Sequence, residues 1–130
     1  EIPADRLEAV FERGLQRCRE GNFKEGLVDL AWLANNRPKK AVPSLCYSYL
    51  GYGLARYRGQ ARNGLRLCKH AVKLEFYQPE CYLNLARAAL LSLVQLLITG
   101  LAADVVKGIG EQRIIFQHGL HEFFGKSEPL

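Results

Sequence analysis

The sequence predicts an all-helical chain, a stack of about three helical hairpins closed by a C-terminal capping helix, and three observations carry that expectation. Apolar residues recur at three- and four-residue spacing through most of the 130 residues. No alternating run bounded by turn residues competes as a strand. Small residues also repeat at long range: Gly14, Gly51 and Ala86 lie 37 and 35 residues apart, and Gly26-Leu27 returns 38 residues on as Gly64-Leu65. A period in the thirties with two helices per unit is how a helical repeat shows itself in sequence.

The elements follow in order. Leu7, Val10, Phe11, Gly14, Leu15 and Cys18 form the apolar stripe of a first helix, with Pro3 and Asp5 suited to its opening turn. Gly21-Asn22 breaks the chain, and Phe23, Gly26, Leu27, Leu30, Leu33 and Ala34 form a second stripe that stops before Pro38–Pro43. A third helix carries Leu45, Tyr47, Leu50, Gly51 and Leu54 to about Tyr57. Gly59 ends it, and a fourth carries Ala61, Gly64, Leu65, Cys68, Ala71 and Val72 to about Leu74. Pro79 sits where the first turn of a fifth helix tolerates it, ahead of Tyr82, Leu85, Ala86 and Ala89. Residues 88–103 hold no charge; sixteen residues fall short of the roughly 20 a membrane span needs, so no span is expected and the segment is read as buried, under the last helix or against a second copy. Gly108 and Gly110 break the chain again, and Ile114, Ile115, Leu120, Phe123 and Phe124 predict a cap over residues 111–124. The chain divides into helical repeats over 1–92 and divergent C-terminal helices over 93–130, within a single domain.

The pattern of an aromatic residue, Leu-Gly and an aromatic in one helix, followed by a small residue and a later Pro in the next, resembles the tetratricopeptide repeat family. Tyr47, Leu50, Gly51 and Leu54 carry it in the second unit and Tyr82, Leu85, Ala86 and Ala89 in the third. The first unit supplies Gly14, Glu20-Gly21-Asn22-Phe23, Gly26, Leu30 and Pro38. The resemblance spans about residues 7–91. It departs from the family at Arg13 and Arg17, where apolar residues are usual, and at Phe76, where Pro is usual. It implies a right-handed solenoid whose first helices line a concave groove and whose second helices lie on the convex side. The groove positions implied include Tyr49, Tyr52 and Arg56 from the second unit and Asn84 and Arg87 from the third. Aromatics beside Arg and Asn suit a peptide anchor, because rigid apolar area and charge-assisted hydrogen bonds concentrate binding energy. Phe11 and Leu15 replace the Lys and Asn of the carboxylate clamp by which some members hold chaperone tails.

Charge adds a second candidate. Residues 30–74 hold nine basic and no acidic residues, so the whole +5 surplus resides there. Arg62, Arg66, Lys69 and Lys73 follow 4-3-4 spacing and share one face of the fourth helix, a patch for RNA, acidic protein or an anionic surface. Other chemistry is poorly supplied. Cys18, Cys46, Cys68 and Cys81 are spaced as neither a metal knuckle nor a disulfide framework and read as buried apolar residues of a cytoplasmic protein. His118 and His121, three apart, lack the spacing and further ligands of a metal site. Cys68 and His70 point away from each other on a helix, and Gly51-Tyr52-Gly53 suits helix packing better than phosphate binding. The chain opens at Glu1 without any Met or signal segment, which predicts a piece of a longer protein. The expectation is a non-catalytic scaffold, without metal or cofactor, that takes a peptide or helix of a partner protein in its groove. The alternatives are a basic-patch RNA or anionic-surface binder, and homo-oligomerisation through residues 88–103.

Overall fold

A computed structural model describes residues 2–107. They form α1 (Ala4–Arg19), α2 (Phe23–Asn36), α3 (Ser44–Tyr57), α4 (Ala61–Leu74) and α5 (Pro79–Lys107), with a single 3₁₀ turn at Lys39–Ala41 and no strand among the described residues. The all-helical class is the one expected. The capping helix expected over 111–124 lies outside the described residues, as do His118 and His121.

Local chemistry sets the boundaries. Pro3 and Pro43 stand in extended conformation directly before α1 and α3, and Pro79 opens α5, all positions where a missing N–H costs nothing. Gly21 (φ +91°) and Gly59 (φ +64°) turn the chain after α1 and α3 through the left-handed region that only glycine enters cheaply.

The two hairpins close at glycines. A Cβ placed on Gly14 would stand 3.1 Å from the carbonyl oxygen of Gly26, and one on Gly26 would stand 2.6 Å from the Cys18 sulfur. In the next hairpin a Cβ on Gly51 would lie 2.6 Å from the Gly64 carbonyl oxygen and 2.7 Å from the Cys68 sulfur, and one on Gly64 would run into the Gly51 carbonyl. Gly14 also meets Leu30 where Cys18 meets Gly26, and Gly51 meets Cys68 where Ala55 meets Gly64, so the helices of each pair run in opposite directions with their backbones in near contact.

Between hairpins, α2 meets α3 where the Cys46 thiol donates to the Leu30 carbonyl (3.2 Å) and where Leu27 fills the space over Gly53. α5 then lies along α3: Asn84 donates to the Ser48 hydroxyl (3.0 Å) and the Cys81 thiol to the Ser44 hydroxyl (3.8 Å). Those partners are 36 and 37 residues apart, so α5 runs in the direction of α3 with the offset of the sequence repeat. α5 also touches α4, where Cys68 donates to the Asn84 carbonyl. Phe11, Leu15, Cys18, Leu30, Leu33, Leu45 and Cys46 centre one buried cluster; Ala55, Ala61, Cys68 and Ala88 centre a smaller one beside α5. All four cysteines are buried and free, as the sequence suggests.

α5 departs from expectation in length. It passes residues 92 and 93 without a break, so the expected division between repeats and divergent helices falls inside one helix. The reason is local: no Gly or Pro stands between Pro79 and Gly100. Over Pro79–Ala103 the helix is long and apolar enough to cross a membrane by length and composition, although its first ten residues are held in the stack through the fully buried Cys81, Asn84 and Ala88.

The glycine contacts make a substitution test. In an unobstructed helix Gly→Ala gains about 1 kcal/mol; Gly64→Ala is expected to reverse that sign and destabilise the chain by about 1–3 kcal/mol through overpacking against the Gly51 carbonyl, read from the urea midpoint.

Candidate functional site

α1, α3 and α5 meet around one carboxylate. Glu80, at the start of α5, accepts from Arg19 of α1 (Nε, 2.9 Å, with a second contact from Nη2) and from the Tyr49 hydroxyl of α3 (2.6 Å). The Arg19 hydrogen bond, helped by Tyr49, holds the Glu80 carboxyl below its usual range, and burial first, then Glu80, pushes the Tyr49 hydroxyl up to about 12. Tyr49 is 3% exposed. It is a fastener between helices, not an open anchor, which corrects the expectation that it offers an exposed aromatic to a partner. Asn84 is corrected in the same way: it is fully buried and bonded to Ser48, because a polar side chain facing α3 must find its hydrogen bonds inside the protein.

One turn along α3 the surface opens. Tyr52 is buried to 6% exposure, but two guanidiniums lie against its ring. That of Arg56 is 5.8 Å from the ring centroid and donates to the Tyr52 hydroxyl (2.6 Å), and that of Arg87 is 5.3 Å from it and donates to the Asn84 side-chain oxygen (3.0 Å). Phe23, from the start of α2, packs edge-on to Tyr52 at 5.4 Å, and Arg56 also lies over the Phe23 and Tyr57 rings at 5.7 and 5.1 Å. The five residues singled out from the sequence are thus brought together on adjacent helices, but only Arg56, exposed, and Arg87, half-buried, present polar groups outward. Phe23 and Tyr57 complete the cluster unforeseen; their only signal was position at helix ends, since which ends meet is decided by the antiparallel run of α2 against α3.

Neither Arg56 nor Arg87 forms an ion pair among the described residues. Elsewhere carboxylates meet their guanidiniums. The buried Asp29 accepts from both Arg13 (2.8 and 3.0 Å) and Arg17 (3.0 Å), which explains the two arginines standing where apolar residues are usual. The Arg13 hydrogen bond is the main reason the Asp29 carboxyl is held low, and Arg17 reinforces it. Arg62, Arg66, Lys69 and Lys73 are all exposed on α4, opposite its buried Ala61, Gly64, Cys68 and Ala71, and none is ion-paired among the described residues.

Burial pushes the Cys18 thiol up to about 11 and those of Cys46 and Cys68 up to about 12, leaving them protonated at neutral pH. His70 is exposed and stacks edge-on to Tyr47, away from the buried Cys68. Among the described residues no three His, Cys, Asp or Glu side chains gather as metal ligands. No family model, curated protein or solved structure matches the chain.

Asp29 and Glu80 give a pH dependence with a definite sign. Both carboxyls are lowered in the folded state, so their stabilisation is complete above the ordinary carboxylate range near 4 and is lost as pH falls through the lowered values. The urea midpoint should fall between about pH 4 and pH 2, and the D29N/E80Q chain should start less stable and show a shallower fall.

Proposed function

We propose that the chain is a non-catalytic protein-interaction scaffold of tetratricopeptide-like build, which holds an acidic peptide or helix of a partner along the side lined by α1, α3 and α5. One observation carries the reading: Arg56 and Arg87 lie against the Tyr52 ring, with aromatic faces and amide or phenol oxygens as their contacts and no carboxylate within ion-pair distance among the described residues, Glu80 acting on Arg87 only from farther away. Such contacts orient a guanidinium without neutralising it. A carboxylate entering there would gain charge-assisted, bidentate hydrogen bonds from groups already held in place. The helix pairing at Gly14–Gly26 and Gly51–Gly64, with α5 offset from α3 by the repeat length, supports the tetratricopeptide-like build. Neutral buried thiols suit a reducing compartment, and the cytoplasm is the proposed location.

The burial of Tyr49 selects the test. Replacing it would loosen α5 together with any groove, so the informative pair is Arg56 and Arg87. On an array of immobilised peptides the chain should retain acidic peptides over their Gln/Asn counterparts, and R56E/R87E should weaken that retention by about tenfold or more with helix content unchanged. Equal retention of the two peptide sets, or undiminished retention by the double variant, overturns the reading.

The unpaired stripe on α4 favours a second reading, in which phosphates of RNA or an anionic surface replace those basic residues' counterions. It requires retention on heparin that falls steeply with salt and disappears in R62E/R66E/K69E while R56E/R87E keeps it.

A further inference from the structure

The outer side of α5, turned away from the residues that touch α3 and α4, is an apolar seam. Leu83, Ala86, Leu90, Leu93, Leu97 and Gly100 follow 3-4-3-4-3 spacing, the a/d spacing of paired helices, over about 26 Å of axis. All six are exposed, the four leucines by 49–61%. Val94, Leu96 and Leu101 widen the strip at 42–65% exposure. A seam of this kind costs solubility unless something covers it.

Two positions single out what covers it. At Gly14, Gly26, Gly51, Gly53 and Gly64 the space a Cβ would take is already occupied by a neighbouring helix; at Gly100 nothing lies within 4 Å. Ala86, the counterpart of Gly14 and Gly51 in the repeat, is likewise exposed. A helical glycine with open space forfeits about 1 kcal/mol of propensity for no packing inside its own chain. Laid antiparallel on a second α5, the seam accounts for both small residues. Leu83 faces Gly100 of the other copy, Ala86 faces Leu97, and Leu90 faces Leu93. Every large residue at the ends meets a small one, the two central leucines meet each other, and the uncharged run 88–103 sets no like charges opposite. A two-fold interface demands this self-complementarity, and a partner of unrelated sequence would not impose it.

We infer that the outer face of α5 is an antiparallel dimer seam whose occupant is α5 of a second copy of this chain, in the register that opposes Leu90 with Leu93. Pairing removes on the order of 1,000 Å² from water over the two copies, the lower bound for a specific interface. A bilayer fits less well: Leu91 still packs against the cluster that α5 shares with α3 and α4, and the residues beyond it give about 18 Å of apolar helix against a hydrocarbon core of about 30 Å. The seam lies opposite the α3-facing side of α5, so the inference stands whether or not the arginine site takes acidic peptides.

Sedimentation equilibrium of the whole chain without detergent should show a monomer–dimer equilibrium at micromolar concentrations. L90E/L93E should be monomeric with unchanged helix content. G100L, which stays apolar and meets open space in its own chain, should weaken the dimer about tenfold or more, and adding Leu83→Ala should restore most of that loss by exchanging large for small. Under oxidation an equimolar mixture of A86C and L97C chains should cross-link as the mixed pair, whereas a parallel pairing would link each chain to its own kind. A wild-type monomer up to hundreds of micromolar overturns the inference, whether residues 108–130 cover the seam or vesicles of neutral phosphatidylcholine take the monomer up. A dimer that survives L90E/L93E, or self-linking of either cysteine chain, overturns it as well.

Discussion

Close approach of helix backbones governs this molecule. At Gly14–Gly26 and at Gly51–Gly64 one helix's carbonyl occupies the volume a β-carbon would need, and the sulfurs of Cys18 and Cys68 pack into the same gaps. Dispersion at such distances is strong because the paired helices touch along their backbones rather than through long side chains. Two further properties follow. The hairpins repeat at the spacing of their glycines, and the residues that flank Gly51 on α3 are carried to fixed places: Tyr49 under Glu80, Tyr52 under the two arginines.

Charge is arranged on that frame by shortage of carboxylates. Residues 30–74 contain none, so the basic residues there have nothing to pair with inside their own hairpin, while Asp29 and Glu80 are satisfied by guanidiniums of α1. The result, with Arg87 added from α5, is two basic surfaces without close ion pairs and of different character. On α4 the four basic side chains stand free in water, where each interacts through a field that salt screens. Beside Tyr52 the guanidiniums are held against aromatic rings, so an incoming carboxylate meets donors whose rotamer freedom is already reduced. That difference in preorganisation, more than the number of charges, is why the smaller site is the better candidate for a specific partner.

α5 serves two environments along one helix. Its inner face up to Ala88 satisfies polar groups within the stack, with Asn84 bonded to Ser48 and Cys68 at the Asn84 carbonyl. Its outer face is apolar from Leu83 to Leu101. In the first two units the second helix covers the corresponding face of the first, and where the third unit would turn back the chain has Ser92-Leu93-Val94-Gln95 in place of a glycine turn. Without a residue able to enter the left-handed region cheaply, the helix runs on, and a face that would have been intramolecular is left to a different neighbour.

The first four helices, their glycine-marked pairing and the bases along α4 are legible in the chain, because period, small-residue spacing and charge counts are properties of neighbours along it. The sequence also brings Tyr49, Tyr52, Arg56, Asn84 and Arg87 forward as a group, and they do converge. Which of them face water follows from packing alone: Tyr49 and Asn84 hydrogen-bond across helices 31 to 36 residues apart in sequence, and no local pattern distinguishes a polar side chain that reaches a partner helix from one that reaches solvent. The same holds for Arg13 and Arg17, which interrupt an apolar pattern because Asp29 lies between them, and for Phe23 and Tyr57, which meet through the packing of α2 on α3. Hydrogen-bond satisfaction and burial are pairwise properties of distant residues, and they exist only once the chain has folded.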